Sequence, residues 1–212
     1  VILLRLLFRL VFRPRVHGRE HLPRTGPVIL ASNHLSFIDS VVLQLVTRRQ
    51  VRFLAKAEYF HGTGLKGRLV RWFFTATGAV PVERGAHRAA QDALETALGV
   101  LAKGQVFGIY PEGTRSLDGR LYRGRTGVAW LALTAGVPVV PVALTGTDRL
   151  QPVGRRLPRW HRITVTFGPP IRGTGQPRSG PARRVVTDEV MRAIGTMSGQ
   201  ETAPEFNAAP LT

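Results

Sequence analysis

No cysteine occurs in the 212 residues. That excludes a disulfide framework, a cysteine metal site and a cysteine nucleophile. Acid is scarce: 13 Asp and Glu stand against 30 Lys and Arg, a formal net charge of +17. Lysine contributes little to that excess, because 27 of the 30 cations are arginine. Such a surface attracts anionic lipid, nucleic acid or phosphorylated small molecules, and arginine matches phosphate bidentately where lysine does not. A codon bias toward Ala, Gly and Arg is the competing source of the excess, and composition does not separate the two. Also missing is an apolar run of the roughly 20 residues that a membrane-spanning helix needs. No aromatic-interleaved basic stretch of the kind that stacks bases is present, so no specific nucleic-acid partner is expected. There is no internal repeat, and the length suits one domain with a sizeable core.

The chain opens on Val1 to Arg13, VILLRLLFRLVFR, with Arg5, Arg9 and Arg13 four residues apart on one helical face and the rest apolar. This pattern predicts an amphipathic helix in a membrane interface, its arginine stems reaching toward headgroups. The alternative is a helix docked on the domain's own core. No small-residue cleavage site follows, so a cleaved signal peptide is not expected.

Apolar runs and helical periods then alternate. Strands are expected at residues 16–20, 28–31, 51–55, 79–82, 105–110, 137–144 and 163–167. Helices are expected at 37–47, 66–75, 86–103, 126–135 and 182–197; Trp72, Phe73 and Phe74 are assigned to the core, with contact to lipid as the alternative. Pro138 and Pro141 remove ladder donors, which predicts an edge or bent strand there. Residues 198–212 lack a pattern and read as a disordered tail. The organisation expected is residues 1–13 as the interface helix, 14–197 as the domain and 198–212 as the tail. The fold class expected is α/β, a single three-layer domain with a largely parallel sheet flanked by helices.

The stretch Ser32-Asn33-His34-Leu35-Ser36-Phe37-Ile38-Asp39 lies between a strand and a helix, where open α/β sheets place their chemistry. On a continuous helix His34 and Asp39 would sit about 140° apart, so they meet only if His34 is in the loop and Asp39 in the first turn. Ser36 and Asp39 form a capping-box-like pair, Ser36 at the N-cap and Asp39 at N3. Read alone, Asp39 is a helix cap and His34 an ordinary loop residue. Two further strand ends carry polar groups: Glu83-Arg84 and Glu112-Gly113-Thr114-Arg115. Brought to one edge of a parallel sheet, they form a cleft with a base, an orienting carboxylate and two arginines. That set suits removal of a proton from a hydroxyl on a phosphate-bearing substrate. The competing reading pairs Arg84 and Arg115 with Glu83, Glu112 or Glu58 in structural bridges.

Four segments together carry a resemblance: Asn33-His34 to Asp39, Val82-Glu83-Arg84, Tyr110-Pro111-Glu112-Gly113-Thr114-Arg115-Ser116, and Val137-Pro138-Val139-Val140-Pro141-Val142. In this order they resemble the motifs of the glycerolipid acyltransferases, specifically the bacterial 1-acylglycerol-3-phosphate acyltransferases, over about residues 16–170. Tyr110 stands where that family usually has Phe, and Glu83 where Asp is common. The resemblance implies acyl transfer from acyl-CoA or acyl-carrier protein to the free sn-2 hydroxyl of a lysophospholipid, first of all 1-acylglycerol-3-phosphate. His34 would be the general base, oriented by Asp39. Glu112, Gly113, Thr114 and Arg115 would bind the acceptor phosphate with help from Arg84, and Val137, Pro138 and Pro141 would line the acyl side of the cleft. No metal and no bound cofactor is implied, the acyl thioester being a co-substrate. The location implied is the cytoplasmic face of the cell membrane. Another lysolipid acceptor, and a non-catalytic polyanion- or membrane-binding protein, are the rival readings.

Overall fold

Val28, Ile29, Leu30 and Ala31 are all fully buried, and alternation sends their side chains to opposite faces. Val28 and Leu30 join Val42, Leu43 and Val46 in one apolar cluster; Ile29 and Ala31 join Leu101, Leu131, Val190 and Ile194 in another. A strand buried on both faces requires helices on both faces, which gives three layers.

The computed structural model describes residues 8, 10–82, 89–152 and 159–208. The strands are β1 (Arg15–His17), β2 (Val28–Ser32), β3 (Val51–Lys56), β4 (Ala79–Val82), β5 (Val106–Ile109), β6 (Val139–Thr145) and β7 (Thr164–Phe167). The helices are α1 (Asp39–Val46), α2 (Glu58–His61), α3 (Gly64–Ala76), α4 (Ala89–Ala102), α5 (Gly127–Ala135), α6 (Thr147–Leu150) and α7 (Gly180–Ser198), with a 3-10 turn at Arg19–His21. The seven strands form one sheet in the order β1-β7-β6-β2-β5-β3-β4. Every pairing is parallel except β6 with β7, so the fold is the largely parallel three-layer one expected. The C-terminal ends of β2, β3, β5 and β6 share one edge.

Three expectations need correction, and for a fourth, the N-terminal helix, Phe8 and Phe12 take the docked alternative while Leu10 and Val11 do not. First, β6 is a central strand between β2 and β7. The sheet tolerates Pro141 because its carbonyl accepts from Gly168 N–H at 2.8 Å, so its missing donor falls on the same side, just beyond the terminal Val142–Phe167 rung. Second, the described part of the N-terminal helix docks on the domain. Phe8 is buried in the cluster with Val42, Phe12 packs against that cluster, and the Trp160 indole donates to Val11 O at 3.1 Å. Leu10 and Val11 remain exposed, as does Arg13, whereas Arg5 and Arg9 lie outside the described residues. Third, Trp72 is exposed, while Phe73 and Phe74 are half-buried. Fourth, residues 199–208 are ordered. Leu121 exchanges backbone bonds of 2.8 Å with Glu201 O and Ala203 N, and Arg123 N donates to Glu205 O at 3.0 Å. Phe206 lies under the guanidinium groups of Arg123 and Arg125. A backbone ladder holds this segment, and a ladder leaves no periodicity in the sequence.

Candidate active site

At the end of β2 the chain must leave the sheet, and Asn33 manages the exit. Its fully buried amide accepts from Leu144 N at 2.8 Å, donates to Leu144 O at 2.9 Å, and donates to Gln200 Oε1 at 2.7 Å. The side chain thus extends the β2–β6 pairing by one rung and lets the backbone turn away. His34 follows directly, at the shared C-terminal edge.

The imidazole is fixed on three sides. Its Nδ1 lies 2.9 Å from Asp39 Oδ2, its ring stacks on Tyr110 with centroids 3.9 Å apart and planes 11° off parallel, and its backbone N–H donates to Glu112 Oε1 at 3.1 Å. Ser116 N donates to His34 O at 2.8 Å, so the first and third motif loops are joined through His34's own backbone. The same Asp39 oxygen also accepts from Leu35 N at 2.7 Å and Ser36 N at 2.8 Å. An oxygen already taking two N–H donors accepts from Nδ1–H as well, which leaves Nε2 carrying the lone pair. Among the described residues Nε2 has no partner, and the ring keeps 17% of its surface exposed beside a fully buried Asp39.

Only half of the capping box is formed: Asp39 Oδ2 accepts from Ser36 N at 2.8 Å, but the Ser36 hydroxyl is turned away from the helix start. Asp39 is the first residue of α1, the N-cap Ile38 makes no side-chain bond, and Ser36 Oγ donates to Gln151 O at 2.9 Å. Instead of Ser36 capping the helix, Asp39 gathers the loop's amides and the histidine.

Glu112 does not face a ligand. It is fully buried, with Oε1 on His34 N and Oε2 on Tyr122 N at 3.0 Å. Burial pushes its carboxyl up to about 7, against the opposing pull of those two N–H donors. The other members of its loop turn outward. Gly113 takes φ +81 and is exposed; a Cβ there would come within 2.9 Å of Arg125 Nε, so glycine lets Arg125 lie against the loop backbone. Thr114 and Arg115 are half-buried, and the Arg115 guanidinium has no hydrogen bond or ion pair among the described residues. Arg84 and Glu83 lie outside the described residues.

A cavity of about 550 Å³ adjoins Tyr110 and Gly113, with Phe53, Leu94, Ala97 and Leu131 among its walls and Arg125 at its rim with Gly113. Its size is that of a small-molecule site. The ring of Tyr110 separates it from His34, stacking on Phe53 on the way (5.6 Å between centroids). Val137, Pro138 and Pro141 do not line this cavity. Pro138 precedes Val139, which pairs with Ile29 near the start of β2, so Val137 and Pro138 sit at the far end of the sheet from His34.

Sequence reading did not single out Arg125, the bridging role of Asn33 or the stack on Tyr110. Tyr110's place as the first residue of the third motif was the available signal for the last of these. Tyr110 also bonds Ser40 through its hydroxyl at 2.7 Å, and burial, with the nearby Asp39 charge, holds its phenol well above the ordinary value.

Residues 13–145 match the family model described as Acyltransferase. The chain is 33% identical to the chloroplastic 1-acyl-sn-glycerol-3-phosphate acyltransferase LPAT1 of Arabidopsis thaliana, over 77% of this chain and 45% of that protein. It is 26% identical to the 1-acyl-sn-glycerol-3-phosphate acyltransferase of Bacillus subtilis, over 74% of this chain and 73% of that protein. The crystal structure of the 1-acyl-sn-glycerophosphate acyltransferase PlsC from Thermotoga maritima matches with a TM-score of 0.68 at 29% identity, over 87% of this chain and 71% of that one. The chain spans 40 to 45% of the length of its chloroplastic relatives from Brassica napus and Arabidopsis thaliana.

Proposed function

We propose that this chain, which belongs to the acyltransferase family, moves a fatty acyl group from acyl-CoA or acyl-carrier protein to the sn-2 hydroxyl of 1-acylglycerol-3-phosphate. The observation that carries this reading is His34, whose Nδ1 is held by a buried carboxylate at 2.9 Å while Nε2 has no partner among the described residues. Nε2 takes the hydroxyl proton as the substrate oxygen attacks the thioester carbonyl. The new C–O bond forms, the C–S bond then breaks, and the imidazolium returns its proton to the departing thiolate. Asp39 keeps the ring in its tautomer and stabilises the transient imidazolium. The attacking oxygen belongs to the substrate, so no enzyme nucleophile is required.

The acceptor phosphate fits the outward side of the third motif: Arg115, Thr114 and the Gly113 backbone, with Arg125 beside them; the family resemblance adds Arg84 of the second motif to this role. Glu112 supports that loop from beneath and leaves phosphate binding to its neighbours, since a carboxylate there would repel the ligand. The apolar cavity beside Tyr110 suits an acyl chain. Work at the cytoplasmic face of the cell membrane is supported by the exposed Leu10 and Val11 on a stretch anchored by Phe8 and by the sequence period of Arg5, Arg9 and Arg13, charges that anionic lipid attracts.

The test supplies purified protein with one labelled acyl-CoA, then with acylated carrier protein, and a panel of lysolipids, and identifies products by mass. Phosphatidic acid from 1-acylglycerol-3-phosphate is expected. A faster reaction with another lysolipid reassigns the acceptor, and no hydroxyl-dependent release of thiol from either donor overturns the activity.

A further inference from the structure

Helix α3 exposes the residues a globular protein ordinarily hides. Leu65 is 84% exposed, Leu69 63% and Trp72 65%. Their i, i+4, i+7 spacing places them on one face. The opposite face is anchored: Phe74 stacks on Tyr59 of α2 at 4.5 Å between centroids, and Gly67 is buried against Gly62. The exposed stripe is therefore part of an ordered helix. Within Gly64–Ala76 there is no Asp or Glu, and Arg68 and Arg71, both exposed, fall to one side of the stripe.

The stripe is joined to the chemistry. Phe37, 46% exposed, sits between His34 and Asp39 and meets Phe74 edge to face at 6.3 Å. Helix α3 thus touches the loop that carries the base.

We infer that α3 is a membrane-docking helix, lying in the headgroup region of an anionic phospholipid bilayer with Leu65, Leu69 and Trp72 inserted and Arg68 and Arg71 on lipid phosphates. The occupant follows from charge and composition. Leucine and tryptophan on one face with arginine alongside and no acid is the make-up of an interfacial helix, tryptophan favours the headgroup level, and anionic lipid complements the arginines. At 13 residues the helix is far too short to cross a bilayer. Docking through α3 sets the His34 loop at the lipid surface, where a lysolipid hydroxyl is presented without extraction into water. That purpose rests on the proposed activity; the binding itself does not.

The test measures partitioning of the full chain onto phosphatidylcholine vesicles containing phosphatidylglycerol and no acceptor lipid. Leu65→Ser, Leu69→Ser and Trp72→Ser combined should lower the partition constant at least roughly tenfold with an unchanged melting temperature, and Arg68→Ala with Arg71→Ala should reduce its salt dependence. A triple variant that binds within about twofold of wild type overturns the proposal. A second readout does not depend on the triple variant: vesicles with brominated acyl chains should quench the wild-type tryptophan emission, and Trp72→Phe should lose that component. Equal quenching in both proteins also overturns it. Because the vesicles carry no acceptor, loss of binding in the variant supports the docking surface even if no lysolipid proves to be acylated.

Discussion

Two loops meet at His34, and each buries one carboxylate with no exposed surface, yet they use it differently. In the first motif Asp39 reaches back over one helical start to take the Nδ1 of the histidine and two backbone amides on a single oxygen. In the third motif Glu112 spreads its two oxygens over the amides of His34 and Tyr122. Asp39 therefore acts on the imidazole ring, and Glu112 on the frame that presents it. Two acids of the same burial and almost the same place thus divide orientation from scaffolding, and the division is set by which N–H groups each can reach.

Three variants break or sharpen that contrast. The largest effect is expected from Asp39→Asn, which keeps the shape but removes the charge that holds Nδ1–H and steadies an imidazolium; acyl-transfer kcat should fall on the order of 10²–10⁴-fold with KM nearly unchanged. A kcat within about threefold of wild type would mean Asp39 serves the loop alone.

Glu112→Gln should act on stability instead. Folded Glu112 keeps its proton up to about 7, whereas the unfolded group releases it near 4.5. The folded state thus binds more protons between those values, and its stability must fall as pH rises through that window. The glutamine variant cannot titrate, so its melting temperature should lose that slope, while one lost accepted bond costs about 1–3 kcal/mol at all pH values. Thermal melts across pH 4 to 8 check this. A variant as inactive as Asp39→Asn and with the wild-type pH slope would dissolve the distinction between the two acids. The smallest effect is expected from Tyr110→Phe, which keeps the ring stacked on His34 and removes only the bond to Ser40; kcat should change by no more than a few-fold, as the net worth of one hydrogen bond allows.

The sheet was legible because its strands are runs of Val, Ile and Leu flanked by glycine and proline, and because strand and helix periods differ. The pairing of His34 with Asp39 was legible as well, from the geometry of five residues across a loop-to-helix boundary. What sequence spacing conceals is direction. Glu112, Gly113, Thr114 and Arg115 are consecutive, and only the positive φ at Gly113 and the waiting amides of His34 and Tyr122 turn the first inward and the others out. Direction also misleads in helices with apolar residues on several sides: Trp72 was assigned to the core and faces out, whereas Phe8, in a stretch assigned to the membrane, packs inside. Pro141 signalled an edge because a missing donor is usually harmful, but here it coincides with the end of one ladder. Residues 199–208 carry no pattern at all, since their order comes from backbone bonds to Leu121 and Arg123.

The central claim, that Nε2 of His34 removes the acceptor's proton, is tested most directly by His34→Ala assayed for hydroxyl-dependent release of CoA from acyl-CoA. The expected result is a loss on the order of 10²–10⁴-fold in kcat with a melting temperature close to wild type, because the His34 backbone bonds to Glu112 and Ser116 survive the substitution. Release of CoA at near the wild-type rate by the folded variant would contradict it.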